Sequence, residues 1–389
     1  MAASTTPGSQ ASLRQANQRR VIRTVRAAGS MTQAEIARAT GLSAATVSNI
    51  VRELSTSGVV AVRPTSSGGR RARAVSLSRA AGLVIGVDFG HSHVRVAVGD
   101  LAHEVISEDS VSIDVDSSAA HGLDQAERLV RAALRRVGAE PDDIIGIGLG
   151  VPGPIEASGA VGSVSILPGW AGVNPREELG RRLGRPVYVD NDANLGALGE
   201  ATWGAARGVT EAAYIKLATG VGAGILVGGR VYRGVSGTAG EIGHITLDET
   251  GRMCRCGNRG CLETYAGARY LIELLRPTYP EDEELTVGRV VEIALAGDVA
   301  FRRVIADAGR HVGLGVANVC NLLNPQMVVV GGELAGVGDV LLDPIREVVR
   351  RCTLPSAADR LSVVAGVLGE RAQVLGALAL VIHEADVNA

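Results

Sequence analysis

Three cysteines and a histidine gather in one short stretch of this chain. Gly240-Glu241-Ile242-Gly243-His244 is followed, after nine residues, by Cys254-Arg255-Cys256-Gly257-Asn258-Arg259-Gly260-Cys261-Leu262-Glu263. Three thiolates and one imidazole complete a tetrahedral set for Zn2+ and leave no open position, so such an ion is structural rather than hydrolytic. Gly257 and Gly260 permit the tight knuckle that lets the chain double back on the ion. The alternative is three free cysteines with an unrelated histidine; ligand count and spacing favour the metal. Cys320 and Cys352 lie apart in apolar stretches and read as core residues. This distribution suits a reducing compartment better than a disulfide framework.

A second chemistry is written near the N-terminus. Residues 1–80 hold twelve arginines and two acids, a net +10, whereas the whole chain carries −2, so the remainder is −12. A basic head on an acidic body suggests a polyanion-binding module on a soluble carrier. Val47, Ile50, Val51 and Leu54 share one helical face, and Ala45, Ser48, Asn49 and Arg52 share the other, with Thr46 at its edge. A helix with such a small, polar outer face fits a DNA major groove. Asn49 matches adenine; Arg52 matches guanine or a phosphate. Ser48 and Thr46 more often touch the backbone, and Ser43 is a further candidate DNA contact. Arg70 and Arg71, after a glycine pair, suit phosphates or a narrow minor groove.

The elements that must position these residues are legible. Residues 1–13 are small and polar and are expected to be a disordered arm. A first helix is predicted from about Gln15 to Ala28. Thr32 with Glu35 forms a capping box, with Met31 and Ile36 as its hydrophobic staple. That helix stops at Gly41, and Ser43 caps the next, with Leu42 and Val47 as staple. Val59–Val62 and Ala74–Leu77 read as strands flanking a flexible basic hairpin, the wing. Residues 14–80 are therefore expected to be a winged helix-turn-helix that binds double-stranded DNA, with a protein-binding winged helix or a mere linker as the alternatives.

From Leu83 onward, Gly/Val/Ile-rich segments alternate with Ala-rich helices, an α/β rhythm. Strands are predicted at Leu83–Asp88, Val94–Gly99, Ile144–Val151, Val187–Val189, Ala213–Ala218 and Met327–Val330. Most open onto glycine-rich turns, where ligands commonly bind in such folds. No stretch has the pattern of a signal peptide, and no run of about 18 apolar residues exists to span a membrane, so a cytoplasmic protein is expected.

These motifs in this order resemble the ROK family of bacterial sugar kinases and sugar-responsive repressors, which share an actin/hexokinase-like fold. The resemblance runs from about Gly82 to Ala379 and rests chiefly on Gly-Glu-x-Gly-His and the cysteine knuckle. A winged helix such as that at residues 14–77 marks the repressor branch. The resemblance implies a two-lobed body over 81–389: one lobe of about 81–195 plus a C-terminal helix at about 370–385, the other of about 196–369. It also implies that Asn191, Asp192, Glu241, His244 and Glu263 line a sugar pocket. Carboxylates and an amide suit sugar hydroxyls, which both donate and accept. Asp192 matches the kinase general base. His244 would place one ring nitrogen on zinc and the other toward a sugar hydroxyl.

Sensor and kinase remain the two readings. The family's kinases carry Asp-x-Gly-Gly-Thr at the first phosphate loop, whereas this chain has Asp88-Phe89-Gly90-His91-Ser92. An imidazole at the second glycine crowds the approach of a phosphate, and phosphoryl transfer depends on that positioning. Ile166-Leu167-Pro168-Gly169-Trp170 also departs from the family's pattern near the sugar. The reading favoured is a repressor, dimeric or tetrameric on an inverted-repeat operator, whose affinity a sugar shifts. The alternative is an active ATP-dependent sugar kinase with an added DNA module.

Overall fold

The computed structural model describes residues 10–67, 70–156, 159–161, 168–280 and 283–385. The expected arm at 1–9, the wing tip at 68–69, and Ile166 and Leu167 lie outside them, as do the side chains of Arg70 and Arg71.

The N-terminal unit contains α1 (Gln10–Ala28), β1 (Ser30–Thr32), α2 (Gln33–Thr40), α3 (Ala44–Thr56), β2 (Val60–Ser67) and β3 (Arg70–Leu77). Helix α1 begins at Gln10, inside the expected arm, because Gln, Ala, Leu and Arg are good helix formers and Arg14 and Gln18 both reach Glu53 on α3. Thr32 and Glu35 make the reciprocal capping box, and Gly41 ends α2 at φ 70°. Ser43 Oγ accepts from Thr46 N at 3.1 Å and caps α3. Two features depart from expectation. Ser30–Thr32 is a strand on β3, giving the sheet order β1-β3-β2. The basic hairpin is paired along its length, Arg63 facing Ala74 and Ser67 facing Arg70, so little of it is loop. Cross-strand pairing of Thr65 with Ala72 and Pro64 with Arg73 carries the ladder through residues that look turn-like in isolation.

The body holds two sheets of one topology. The first comprises β4 (Leu83–Phe89), β5 (His93–Asp100), β6 (Val105–Ser112), β7 (Ile144–Val151) and β8 (Val187–Asn191), ordered β6-β5-β4-β7-β8, with α4 (Ala119–Val137) and α5 (Pro175–Leu183) packed on it. After α6 (Asp192–Thr202), the second comprises β9 (Ala212–Leu217), β10 (Val221–Val227), β11 (Arg230–Val231), then α7 (Glu263–Ala266), α8 (Ala268–Leu275), α9 (Val287–Leu295), α10 (Val299–Leu323), β12 (Met327–Gly331), α11 (Asp339–Cys352), α12 (Pro355–Ala358) and β13 (Ser362–Ala365). Its order is β11-β10-β9-β12-β13. In each sheet an antiparallel meander is followed by two parallel strands. Helix α13 (Ala372–Glu384) lies on β4 and β7 and packs against α6, which covers β9 and β10. Buried on all sides from Ala372 to Ile382, α13 has the apolar circumference of a helix held between layers.

Three features of the body are not read from the sequence. Strand β6 is broken by the polar run Ser107-Glu108-Asp109-Ser110 and lies half-exposed at the sheet edge, and so lacks a hydrophobic signal. The expected lobe boundary at 195/196 falls inside α6. The glycine run at Thr219–Gly224 is largely strand β10. There, a Cβ at Gly224 would lie 2.4 Å from the Ala193 carbonyl oxygen, so this glycine serves the close approach of α6 rather than a phosphate cradle.

The winged helix docks on the body through a shared core. Val21, Ile22 and Val25 of α1 belong to one buried cluster with Leu101, Val374, Leu378, Val381 and Ile382.

Candidate functional site

The knuckle brings its four expected ligands together. One donor atom each from His244, Cys254, Cys256 and Cys261 lies within 4.8 Å of the others. His244 Nδ1 is 3.6 Å from Cys254 Sγ, and Cys256 Sγ is 3.7 Å from Cys261 Sγ. The chain can turn this tightly because Gly257 sits at φ 94° and Gly260 at φ 58°. Burial pushes the Cys261 thiol up to about 12, a shift that a bound cation would reverse. The donor set fits a metal ion such as zinc. His244 Nε2, on the far side of the ring, points toward Glu241 Oε2 at 3.8 Å.

That second nitrogen faces a cleft. Asn191, Asp192, Glu241, His244 and Glu263 all line it, together with His91, Lys216, Arg255 and Thr219–Ala223. Asn191 ends β8 and caps α6: its Oδ1 accepts from Ala193 N at 2.8 Å and its Nδ2 donates to Gly153 O at 2.8 Å. One amide hydrogen is left for a ligand. Glu263, at the start of α7, receives Arg255 Nε at 2.9 Å, Arg255 Nη2 at 3.3 Å and Val221 N at 3.1 Å. Glu241 is pushed up to about 7, first by burial and then by the facing Asp192 and Glu263 carboxylates. A carboxyl at this position can accept from a hydroxyl and, when protonated, donate to one.

Two residues here escape sequence reasoning. Arg255, between two knuckle cysteines, ties the metal loop to Glu263 at the cleft. Lys216 Nζ lies 2.6 Å from Asp192 Oδ2. Its signal was compositional: it is the chain's only lysine.

The first glycine turn is filled by side chains. His91 Nδ1 meets Asp116 at 2.7 Å, and His93 Nε2 meets the buried Asp88 at 3.2 Å. A Cβ at Gly90 would strike the His93 ring at 2.2 Å.

On the winged helix, Ser43, Ala45, Ser48, Asn49 and Arg52 are exposed and Thr46 is half-buried. Arg52 Nη2 donates to Asn49 Oδ1 at 2.6 Å, and Ser43 Oγ lies 2.8 Å from Thr46 Oγ1. Arg70 and Arg71 lie on β3.

A winged helix on a two-lobed, sugar-kinase-like body with a Cys3His knuckle defines the class of protein. The chain belongs to the ROK family, whose model matches residues 84–384, and the MarR family matches residues 14–71. A putative xylose repressor of Caldicellulosiruptor sp. (strain Rt8B.4) is 33% identical, with 97% of this chain and 98% of that protein covered. Among solved structures, a ROK family transcriptional regulator described as a homolog of the E. coli MLC protein has a TM-score of 0.75 at 26% identity, covering 95% of this chain and 96% of its own. A ROK family glucokinase from Streptomyces griseus, in complex with glucose and AMPPNP, has a TM-score of 0.66 at 30% identity; it covers 77% of this chain and 99% of its own.

Proposed function

We propose that this chain is a sugar-responsive transcriptional repressor: the winged helix binds an operator, and the cleft between the two sheets binds the sugar that alters operator affinity. The observation that carries this reading is coverage. The relative named a repressor aligns over 97% of the chain, winged helix included, whereas the glucokinase structure aligns over 77%.

The knuckle holds a structural zinc ion through His244, Cys254, Cys256 and Cys261. By fixing His244 on one side, the ion orients the other ring nitrogen into the cleft. Asn191, Asp192, Glu241 and Glu263 bind the hydroxyls. In the DNA complex Ala45, Asn49 and Arg52 face the major groove, Thr46 and Ser48 approach the backbone with Ser43 beside them, and Arg70 and Arg71 act from the wing. Sugar binding favours one arrangement of the lobes by its differential affinity for it. In a homodimer, or a dimer of dimers, this changes the spacing of two winged helices on an inverted repeat whose half-sites are about 34–36 Å apart. Such a regulator works in the cytoplasm, and among the described residues no helix is long and apolar enough to cross a membrane.

The kinase reading is disfavoured by two contacts: the imidazoles of His91 and His93 occupy the first glycine turn, and Asp192 is engaged by Lys216. The test has two arms. D-xylose, D-glucose and N-acetyl-D-glucosamine are titrated against the zinc-loaded protein by melting temperature and calorimetry, then added to a gel shift on a duplex selected from a random pool. Binding of one sugar that changes duplex affinity about 5–150-fold supports the reading. ADP release at ordinary kinase rates, on the order of 1–100 per second, would overturn it.

A further inference from the structure

Of 39 basic residues in this chain, 38 are arginine, and the exception is Lys216. Surface ion pairs are made with arginine throughout the described residues, for example Arg131 with Glu127 and Arg346 with Asp343. The exception sits in the cleft between the lobes. Lysine and arginine differ in shape: an ammonium is a compact charge with three tetrahedral donors, while a guanidinium is a wide planar fork.

The backbone around Lys216 is built to let its side chain lie in a confined place. On β9 it faces Gly222 of β10 on one side and Gly331 of β12 on the other, so neither neighbouring strand offers a side chain beside it. The side chain is 19% exposed, and its amine reaches Asp192 Oδ2 at 2.6 Å. Asp88, from the first glycine turn, and Glu333, which follows the Gly331-Gly332 turn, act on the same amine. One carboxylate thus bonds the ammonium directly, and two more, from other strand ends, act on it through their charge. Asp88 Oδ1 is buried without a hydrogen-bond partner, a position that is costly unless positive charge lies nearby.

We infer that Lys216 is a positioning residue of the sugar site: its ammonium fixes Asp192 as a hydroxyl acceptor and supplies a built-in cation between the glycine turns. The inference rests on the sugar-responsive reading above. With Oδ2 held by Lys216, Asp192 presents Oδ1 to a ligand in one orientation. Arginine is not an equivalent here, because a wide planar fork differs in reach and geometry from the compact ammonium that meets Asp192 Oδ2. The role deepens the contrast with a kinase, in which the same carboxylate must be free to take a proton.

A single lysine makes the test unusually direct. Protein grown with 15N-labelled lysine, carrying no lysine in any tag, gives one side-chain 15Nζ resonance. D-xylose, D-glucose and N-acetyl-D-glucosamine are titrated while that resonance is followed, with calorimetry on the wild type, Lys216→Gln and Lys216→Arg. The expected result is a resonance protected from solvent exchange near pH 7 that shifts as the sugar binds. Both variants should keep their zinc and lose sugar affinity by about tenfold or more, the scale of a lost charged hydrogen bond. A sugar that binds the wild type yet leaves 15Nζ unmoved overturns the inference while the sugar-responsive reading survives. So does undiminished affinity in Lys216→Gln. If the variants do not fold, the wild-type resonance decides alone. Absence of binding by all three sugars sinks both proposals together.

Discussion

His103 Nε2 lies 2.7 Å from the carbonyl oxygen of Arg26 and joins the body to the first helix of the winged helix. A carbonyl only accepts, so Nε2 carries the proton. His103 sits in the β5–β6 turn at φ 67°, a left-handed conformation uncommon for a residue with a Cβ. Asp100 Oδ1 holds the turn by accepting from Ala102 N at 2.8 Å and Glu104 N at 3.0 Å. Trp203, at the end of α6, donates Nε1–H to the His103 carbonyl at 2.9 Å. The Arg26 guanidinium in turn donates to the carbonyls of His383 and Ala385 at the C-terminal end of α13. Since Asn191 caps the other end of α6, one helix runs from the cleft to this junction.

Trp203→Phe keeps the ring but removes its N–H. Loss of that bond should cost about 0.5–1.5 kcal/mol of docking free energy. Hydrogen exchange should quicken in α1 and α2 while α10 is unchanged. The same variant should blunt the effect of sugar on duplex affinity. Equal exchange in the two proteins would show that the apolar contacts alone hold the winged helix.

Acidification should loosen the same junction. Burial holds the His103 pKa below the ordinary histidine value of 6.5; the bond to Arg26 and the charge of Asp100 oppose that shift, and Arg207 adds to it. His383 faces the same ring. The unfolded chain therefore takes up a proton that the folded one resists, and stability falls as pH drops below about 6.5 toward the folded-state value. Melting curves of the wild type and His103→Gln, compared from pH 7.5 to 5.5, should show a shallower decline in the variant. Parallel curves would remove His103 from the acid response.

The knuckle should bind one zinc ion per chain, measurable by elemental analysis. Cys256→Ser should lose most of it, because three ligands hold a structural ion far less well than four. Chelation should lower the melting temperature and weaken sugar binding together, since Arg255 carries the knuckle's order to Glu263. Sugar affinity that survives complete zinc removal would separate the two sites.

Arg52 and Asn49 hold each other at 2.6 Å and must part to meet bases separately. Arg52→Ala should weaken binding to the selected duplex by about 1–3 kcal/mol and relax sequence preference at one position if Arg52 reads a base. A uniform loss across sequences, with the salt slope reduced by about 1, would assign it to a phosphate.

Spacing along the chain is enough to specify whatever depends on near neighbours. Thr32 with Glu35, Ser43 before α3, and the glycines of the cysteine knuckle act over a few residues, where spacing fixes hydrogen-bond geometry. The strand-and-turn rhythm was legible for the same reason, since buried parallel strands read as apolar runs. The charge division needed only counting.

Tertiary structure decided what depends on packing between distant segments. Lys216 meets Asp192 because β9 lies beneath α6, and no spacing rule predicts that meeting. The need for glycine at position 224 comes from α6, whose Ala193 carbonyl crosses it closely. Strand β6 gives no signal because one of its edges is unpaired among the described residues and the polar run at 107–110 breaks any alternation. Ser30–Thr32 became a strand only because β3 was there to pair with it. His103 gained its role from a helix 77 residues earlier in the chain. Local hydrogen bonds are specified by sequence spacing; the partners of a buried charge are specified by which surfaces the whole chain brings together.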